Sequence, residues 1–308
     1  LLDGAGVGKV VDNFDIGFKV APRINAFTRM GGGGEIVDLF SVDDRGAAVS
    51  IVDEMNRRNM ERRQEEARIL AEIGEMLEEH PELADPGFVV LAGEGWHRGV
   101  IGNVASRLVE RFHKPALVVS LGEDRNQGSG RSIPGFHILD ALEHCESYLE
   151  RFGGHAQAAG LTLKQGFADE EGFRQFKEGL QSYAASRLGE VDMEPVLQID
   201  EFLELGDVNF ERCADLDRLS PFGIGNPFPV LATRGLPISA GPWVLKDKHL
   251  KFRSDGVGVP LDVIWWQNGE RAANLGRGDT LDVAYTLSRD TYQGREKLLL
   301  TLQDLEER

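Results

Sequence analysis

A long stretch without proline constrains the fold of this chain more than any other feature. From Arg45 to His80 the pattern is helical, Gly74 is the only glycine after Gly46, and Pro81 ends the stretch. Such a helix would be roughly 50 Å long at about 1.5 Å per residue. Its middle, residues 56–66, has only Met60 as an apolar residue. This pattern predicts a helix bridging two domains, or else a solvated surface helix, with residues 1–44 apart from those after 82.

The next part of the chain alternates between strand and helix patterns. Strand runs at residues 88–92 and 115–121 flank a helical stripe at residues 100–112, which predicts a βαβ unit. The pattern then predicts a loop at 122–132, a helix at 138–152, a strand at 160–164 and a helix at 170–188. This content predicts an α/β domain of about 110 residues.

The last part of the chain is rich in β patterns. Five runs are separated by turn signals, at residues 236–245, 249–254, 259–266, 280–288 and 297–303, with a short helical stretch at 269–275 after the third. Three strands, a helix and two strands is the order of an OB-fold, a small barrel that often binds oligonucleotides.

Four aromatic side chains in this region are candidates for stacking on nucleic-acid bases. They are Trp243, Trp265, Trp266 and Tyr292. The alternative is that they fill the core of the barrel. Because Trp265 and Trp266 are adjacent on a strand, we expect one in the core and the other more exposed.

Two glycine-containing motifs in the α/β region are suited to binding phosphate. The first is Gly128-Ser129-Gly130-Arg131-Ser132, and the second is Gly153-Gly154-His155 followed by Ala158-Ala159-Gly160. Glycines allow backbone N–H groups to converge on an anion, serine adds a donor, and arginine offers a planar fork that matches phosphate oxygens. Together the motifs predict a phosphodiester ligand, although arginines can also be surface ion-pair partners and glycines can be simple turns.

The formal net charge of −17 is unusual for a protein that binds nucleic acid. The acidic excess, however, lies in residues 1–87 and 166–241, with eight more acidic than basic residues in each. The remaining segments are close to neutral, so local basic surfaces are compatible with the composition.

The cysteines, the apolar runs and the first residue each give one further prediction. Cys145 and Cys213 lack the spacing of a zinc or redox motif and are interpreted as packing residues. No apolar run is long enough to span a bilayer and no secretory leader is visible, so we expect a cytoplasmic protein without membrane contact. The chain begins with Leu1 and not Met, which we interpret as a piece of a longer protein.

Several motifs together resemble one known family. The segments Gly95-Trp96-His97-Arg98-Gly99-Val100-Ile101-Gly102, Val104-Ala105-Ser106-Arg107-Leu108 and Phe152-Gly153-Gly154-His155-Ala156, with the phosphate motifs above, resemble the DHHA1 domain of the RecJ family in order and spacing. Residues 21–29 resemble the end of that family's catalytic domain, and residues 221–227 resemble the run before its OB-fold.

The resemblance implies a fold class and a domain division. We expect an α/β DHHA1 domain followed by an all-β OB-fold barrel, preceded by a long interdomain helix. Residues 1–44 would be a C-terminal remnant of the DHH catalytic domain and residues 45–81 the connecting helix. Residues 82–190 would be the DHHA1 domain, and residues 191–308 a linker and the OB-fold.

The resemblance also implies roles for particular residues. Ser129 and Arg131 match the family loop that binds a 5′ phosphate, and Arg29, with Arg23, matches an arginine of the same pocket. His155, with the amides of Gly153 and Gly154, would hold the phosphate beside the metals and is the one candidate catalytic residue. His97 would face the same cleft, unless it is a histidine satisfied at a helix start.

The implied function is that of the DNA-clamping part of a metal-dependent 5′-to-3′ single-stranded-DNA exonuclease in DNA repair and recombination. The family's Mn²⁺ or Mg²⁺ would be held in the DHH domain, and we expect no metal ligand in this segment and no nuclease activity from it alone. Single-stranded DNA is the expected partner, with a single-strand-binding protein or helicase as further partners. One alternative is a non-catalytic single-strand-binding or partner-docking module. The other is a small-nucleotide phosphoesterase, and the OB region argues against this second alternative.

Overall fold

The chain divides into two compact units, Leu1–Pro195 and Val196–Arg308. The computed structural model describes residues 1–8, 11–31, 34–84, 87–122, 125–167, 170–189, 196–223, 225–256, 258–292 and 295–307. The boundaries at residues 44, 81 and 190 are not tested by this division and stay predictions. Within the described residues, no helix is both long enough and apolar enough to cross a membrane.

Helices form the first part of unit 1. A wide-turn helical segment, Asp15–Val20, runs directly into α1 (Ala21–Arg29), which is followed by α2 (Glu35–Ser41) and α3 (Arg45–Glu79). The Asp44 side chain accepts a hydrogen bond from the Ala47 N–H at 2.7 Å and so caps the start of α3. The predicted long helix is confirmed.

The middle of α3 is packed by polar contacts instead of crossing open solvent. Arg58 donates from Nη1 to the Met30 carbonyl at 3.0 Å and lies over the Phe27 ring. Asn56 donates to the Gly4 carbonyl at 3.1 Å. Long arginine side chains cover apolar surface with their stems while the head group bonds to backbone, which an apolar count along the sequence cannot detect.

The expectation that residues 1–44 lie apart from those after 82 is therefore wrong. Arg29 at the end of α1 donates from Nη1 to Asn103 Oδ1 at 2.8 Å. The first helices thus contact the α/β part of unit 1 directly.

The α/β part of unit 1 is a five-stranded sheet with helices on both faces. The strands have the order β1-β2-β3-β5-β4; β1 and β2 are parallel and the other neighbours are antiparallel. The elements are β1 (Val89–Glu94), α4 (Ile101–Phe112), β2 (Ala116–Leu121), β3 (Asn126–Arg131), α5 (Ile138–His144), β4 (Leu149–His155), β5 (Ala158–Leu163) and α6 (Glu170–Leu188).

The two faces of this sheet are covered to different extents. Val89 and Val118 pack with α3 and α4 on one face, whereas Val90 and Leu117 pack with α5 and α6 on the other. On the α4 face, Arg151, His155 and other residues of β4 are exposed. Part of this face is therefore open to a ligand.

Two local predictions in this region are wrong. The predicted glycine loop at 122–132 contains β3, an inner strand paired with both β2 and β5. Its amides therefore belong to the ladder and do not converge on an anion. The predicted helix at 138–152 ends at His144, and β4 follows after a short 3₁₀ turn.

The glycines of β3 make room for side chains of α5 and of the neighbouring strand β5. A Cβ at Gly130 would lie 2.4 Å from the Ile138 side chain, and one at Gly128 would lie 2.9 Å from that of Leu161. Close packing, not turn formation, explains this glycine-rich strand.

Unit 2 is a seven-stranded sheet with the order β6-β7-β11-β12-β10-β9-β8. Because β7 and β8 follow each other in the chain and pair with β11 and β9, they act as one bent strand that closes a barrel, as an OB-fold requires. The elements are β6 (Glu201–Phe202), α7 (Phe210–Asp217), β7 (Leu231–Pro237), β8 (Ala240–Leu245), β9 (His249–Asp255), β10 (Pro260–Trp265), a 3₁₀ helix (Gly269–Asn274), β11 (Thr280–Tyr292) and β12 (Arg295–Glu307).

Candidate anion-binding site

Ser129 and Arg131 lie on β3 and point to the open face of the sheet. Residues alternate along this strand, so that the glycines are buried and Ser129 and Arg131 are half-buried. Arg131 donates from Nη1 to Ser129 Oγ at 3.1 Å and to the Gly130 carbonyl at 2.8 Å. The guanidinium is therefore held beside the hydroxyl.

Gly102 on α4 gives these two side chains their space. A Cβ at this position would lie 2.9 Å from Arg131 Nη2 and 3.0 Å from Ser129 Oγ. The first turn of α4 thus sits directly against the pair, and its positive dipole end adds to the positive potential there.

Arg29 approaches the same place from α1. Its Nη1 donates to Asn103 Oδ1 at 2.8 Å, which ties the guanidinium to the first turn of α4. Burial, followed by the like charge of Arg29, lowers the pKa of Arg131. Within the described ranges neither arginine forms an ion pair with a carboxylate, so neither is a surface salt-bridge partner there.

We call Arg29, Ser129 and Arg131 the arginine–serine cluster. Two cations held close together repel each other, and burial of one of them adds a further cost. The attraction of a bound anion would offset both costs, and phosphate oxygens match the guanidinium fork. The cluster is therefore suited to a phosphate.

His97 lies on the loop before α4, next to Arg29. Its Nδ1 accepts from the Gly99 N–H at 3.0 Å, so in the neutral ring the proton is assigned to Nε2, which is left as a donor. A Cβ at Gly99 would lie 2.6 Å from the Arg29 carbonyl and 3.1 Å from His97 Cε1. Gly99 thus permits the close approach of the loop and α1.

The long helix holds this loop in place. Glu65 Oε1 accepts from the His97 N–H at 3.2 Å, and Glu72 Oε2 accepts from Trp96 Nε1 at 2.7 Å. Arg68, through its hydrogen bond, lowers the pKa of Glu65 despite partial burial, so the carboxylate stays ionised as an acceptor. The polar stripe of α3 thus positions the residues around His97.

His155 and Gly153 are on the same sheet face as the cluster, on the edge strand β4. Cross-strand register joins Arg131 to Ala158 and Ala158 to His155, while Ser129 is joined through Gly160 to Gly153. The backbones of Arg131 and His155 are therefore two strand spacings apart, roughly 10 Å, and so are those of Ser129 and Gly153. Gly153 and His155 are exposed.

Gly154 has a structural reason to be glycine. Its φ is +152°, and a Cβ would lie 2.4 Å from the Ala158 carbonyl and 2.5 Å from Ala159 Cα. Close pairing with β5 explains this residue without a ligand.

Arg23 is not brought to the cluster. Its Nε donates to Asn56 Oδ1 at 2.6 Å and its Nη1 to the Lys19 carbonyl at 2.5 Å. It lies almost two helical turns before Arg29 on α1 and fastens α1 to α3. Its assignment to a phosphate pocket gains no support from these contacts.

Some residues of this region escaped the sequence reasoning. Arg98, Gly102 and Asn103 received no role from the sequence, although Arg98 and Gly102 stand in the segment that carries the family resemblance; their position at the start of a helix is the signal that could have identified them. Arg151 gives no such signal, because only the pairing of β4 with β5 brings it to the open face.

Unit 2 carries exposed tryptophans. Trp266 is 51% exposed and Trp243 is 44% exposed, whereas Trp265 is buried, which confirms the expected division between Trp265 and Trp266. The His249 ring meets Trp266 edge-on with 4.8 Å between centroids. The side chain of Tyr292 lies outside the described residues.

A group of cations surrounds one carboxylate on the barrel. Arg253, Lys251 and Lys297 lie 3.0, 3.4 and 3.7 Å from Asp262. Although burial raises it, the pKa of Asp262 is lowered overall by the Arg253 hydrogen bond and the two lysine charges. Arg253, Lys251 and Lys297 thus gather around this carboxylate on β9, β10 and β12.

No group of three or more His, Cys, Asp or Glu side chains within the described ranges could hold a metal ion. Cys145 and Cys213 are buried and unpaired, as expected of packing residues, and burial raises the pKa of the Cys145 thiol to about 11.

Comparisons with known proteins agree with both units. Residues 85–186 match the family described as DHHA1 domain, and residues 199–304 match the RecJ OB domain. Single-stranded-DNA-specific exonuclease RecJ of Bacillus subtilis is 31% identical over 98% of this chain and 38% of its own length. The protein of the same name from Thermus thermophilus is 33% identical over 93% of this chain and 39% of its own length.

Solved structures give the same result. The crystal structure of RecJ in complex with Mn²⁺ from Thermus thermophilus is 30% identical, with a TM-score of 0.80 over 100% of this chain and 43% of that one. This chain thus spans about two fifths of the length of these relatives. With a DHHA1 domain followed by a RecJ OB domain, the chain belongs to the RecJ family.

Proposed function

We propose that this chain is the DNA-clamping part of a 5′-to-3′ single-stranded-DNA exonuclease of DNA repair and recombination. In this proposal the arginine–serine cluster binds the 5′-terminal phosphate. The observation that carries it is Arg131 held beside Ser129, with Arg29 close by on Asn103 and neither arginine paired with a carboxylate in the described residues. The relatives named above are single-stranded-DNA-specific exonucleases, which supports the substrate class.

Each residue of the cluster would have a distinct task. Arg131 would offer two parallel N–H groups to phosphate oxygens. Ser129 Oγ already accepts from Arg131, which leaves its own O–H free to donate to the anion. Asn103 would orient Arg29, and His97 would donate from Nε2. His155, two strands away from Arg131 on β4, would hold the phosphate group that lies beside the metals.

Strand selectivity would come from unit 2. Bases are available for stacking only in a single strand, and exposed tryptophans near lysine and arginine side chains are suited to bind such strands without reading sequence. Trp266 and Trp243 with the cations around Asp262 would provide this surface.

We assign the metal chemistry to a part of the whole protein outside this chain. Related structures are described with Mg²⁺ or Mn²⁺. A divalent metal would supply the activation of water and the stabilisation of the leaving oxygen. The described residues do not fit such a metal, so its ligands would belong to another part of the whole protein. The proposal includes a cytoplasmic location. It also includes a single-strand-binding protein or helicase as a partner, for which we assign no binding surface.

The chain alone should bind DNA without degrading it. With 5′-phosphorylated single-stranded DNA and Mn²⁺, we expect salt-sensitive binding, since phosphate contacts release counterions, and an intact oligonucleotide on a denaturing gel. The whole protein, under the same conditions, should digest it from the 5′ end. Processive digestion by the chain, or no binding at low salt, would contradict the proposal.

Replacing Trp266 with alanine should weaken single-strand binding. Loss of one stacked base is expected to cost about 1–3 kcal/mol, or roughly 5- to 150-fold in Kd. Fluorescence titration with oligothymidine checks this, and Trp266→Phe, which keeps a stacking ring, should recover most of the affinity. Equal Kd values for Trp266→Ala and the unaltered chain would remove Trp266 from the interface.

A further inference from the structure

A surface groove adjoins the arginine–serine cluster on the open face of the sheet. It has a volume of about 420 Å³. Ser129 lines it and also belongs to the cluster, so the two features share a wall. The other polar side chains along it are Arg98, Gln127, Arg151 and Thr162.

The floor of this groove is backbone. Gly160 on β5 and Gly153 on β4 are cross-strand partners and line the groove. A Cβ at Gly153 would meet nothing within 4 Å, and one at Gly160 would meet only the Gly128 carbonyl at 3.8 Å. Packing therefore does not require glycine at either position. Their lack of side chains opens the groove.

Arg151 stands over the end of the groove away from the cluster. Its Nε donates to Thr162 Oγ1 at 3.2 Å, which holds the guanidinium on the open face. The register of β4 shifts between Leu149 and Arg151, and such a bulge re-aims the side chain beside it.

Arg98 reaches the groove from the loop before α4. Its Nη1 lies 3.5 Å from Gln127 Oε1, a weak contact that leaves most of its donors available. Neither Arg98 nor Arg151 pairs with a carboxylate in the described part of the chain. Two arginines without a carboxylate partner among the described residues, above an open backbone floor, make this groove favourable for an anion.

We propose that the groove is a second phosphate subsite, which binds an internal phosphodiester of the same single strand. This inference rests on the proposed function, because it takes the cluster as the site of the terminal phosphate. A strand that places its end between Arg131 and Ser129 continues past Ser129, over Gly160 and Gly153, towards Arg98 and Arg151. The two arginines bind the backbone there, whatever the base.

Short ligands separate the two subsites. The test measures Kd values of thymidine 5′-monophosphate and of the 5′-phosphorylated dithymidine dinucleotide for the chain, by competition with a fluorescent oligothymidine. The unaltered chain should bind the dinucleotide about tenfold more tightly than the mononucleotide. A double variant, Arg98→Ala with Arg151→Ala, should lose this gain and keep its affinity for the mononucleotide.

A matched control removes a similar charge elsewhere. Arg111 is an exposed arginine on the last turn of α4, where it lies over the ring of Phe112. Arg111→Ala should leave both affinities unchanged.

The outcomes distinguish the two proposals. If the double variant weakens both ligands equally while Arg131→Ala also weakens both, the second subsite is wrong and the terminal site stands. If the unaltered chain binds both ligands equally, the second subsite is likewise wrong. If Arg131→Ala changes neither affinity, the terminal site fails and the second subsite fails with it.

Discussion

Replacing Arg131 with alanine is expected to weaken binding of 5′-phosphorylated single-stranded DNA by about 2–3 kcal/mol, or roughly 30- to 150-fold. The variant removes the fork that would hold two phosphate oxygens and leaves Arg29 as the remaining cation of the cluster. DNA with a 5′-hydroxyl end should lose far less, because it does not place a terminal phosphate beside Ser129. Titrations of the two oligonucleotides in parallel check this difference.

Two further variants separate charge from geometry. Arg131→Lys keeps a positive charge without the planar fork and should recover only part of the affinity. Arg111→Ala, at the other end of α4, should change neither titration. Equal losses for the two kinds of DNA end in Arg131→Ala would refute the terminal-phosphate pocket.

Arg131 should contribute little to folding. Its burial and the like charge of Arg29 both oppose its charged form, as the lowered pKa indicates. We therefore expect Arg131→Ala to leave the free energy of unfolding unchanged or to raise it slightly. A residue whose removal costs binding and not stability is one retained for its ligand.

The second large effect concerns stability and two neighbouring glycines. Gly154→Ala should lower the free energy of unfolding of unit 1 by about 3 kcal/mol or more, through backbone strain at φ +152° and overlap with Ala158 and Ala159. Gly153→Ala should stay within about 0.5 kcal/mol, since its Cβ would meet nothing within 4 Å. Urea unfolding followed by circular dichroism measures both.

In DNA binding, the variant with the small effect on stability, Gly153→Ala, should have a clear effect. The methyl group of Gly153→Ala projects into the groove, two strands away from Ser129, and should lower DNA affinity in a protein of normal stability. A stable Gly154→Ala variant would contradict the structure of the β4–β5 pair, and unchanged binding by Gly153→Ala would argue against a ligand in the groove.

Much of the fold follows from local signals in the sequence. The start of α3 at Arg45 is set by the Asp44 cap and its end by Pro81, and both are local signals that the sequence itself contains. The strands of the barrel follow from alternation and turn residues. The glycine-rich strand β3 could not be found in this way, because glycine disfavours strands locally and its value appears only when Ile138 and Leu161 pack against it.

The site was predictable in part. Ser129, Arg131 and His97 stand in recognisable motifs, and the structure brings Arg29 to them. Which arginine of α1 reaches the cluster depends on how α1 packs on α3, and this separates Arg29 from Arg23. The position of Gly102 depends on how α4 packs on the sheet, and that of Arg151 depends on the register of β4 with β5. Both involve segments far apart in the sequence, so no local pattern predicts them.

The most direct test of the central claim is a crystal structure of the chain with a 5′-phosphorylated oligothymidine. We expect the terminal phosphate within hydrogen-bond distance of Arg131, Ser129 and Arg29. A strand bound to the chain with its 5′ phosphate elsewhere, and nothing between the two arginines, would contradict the claim.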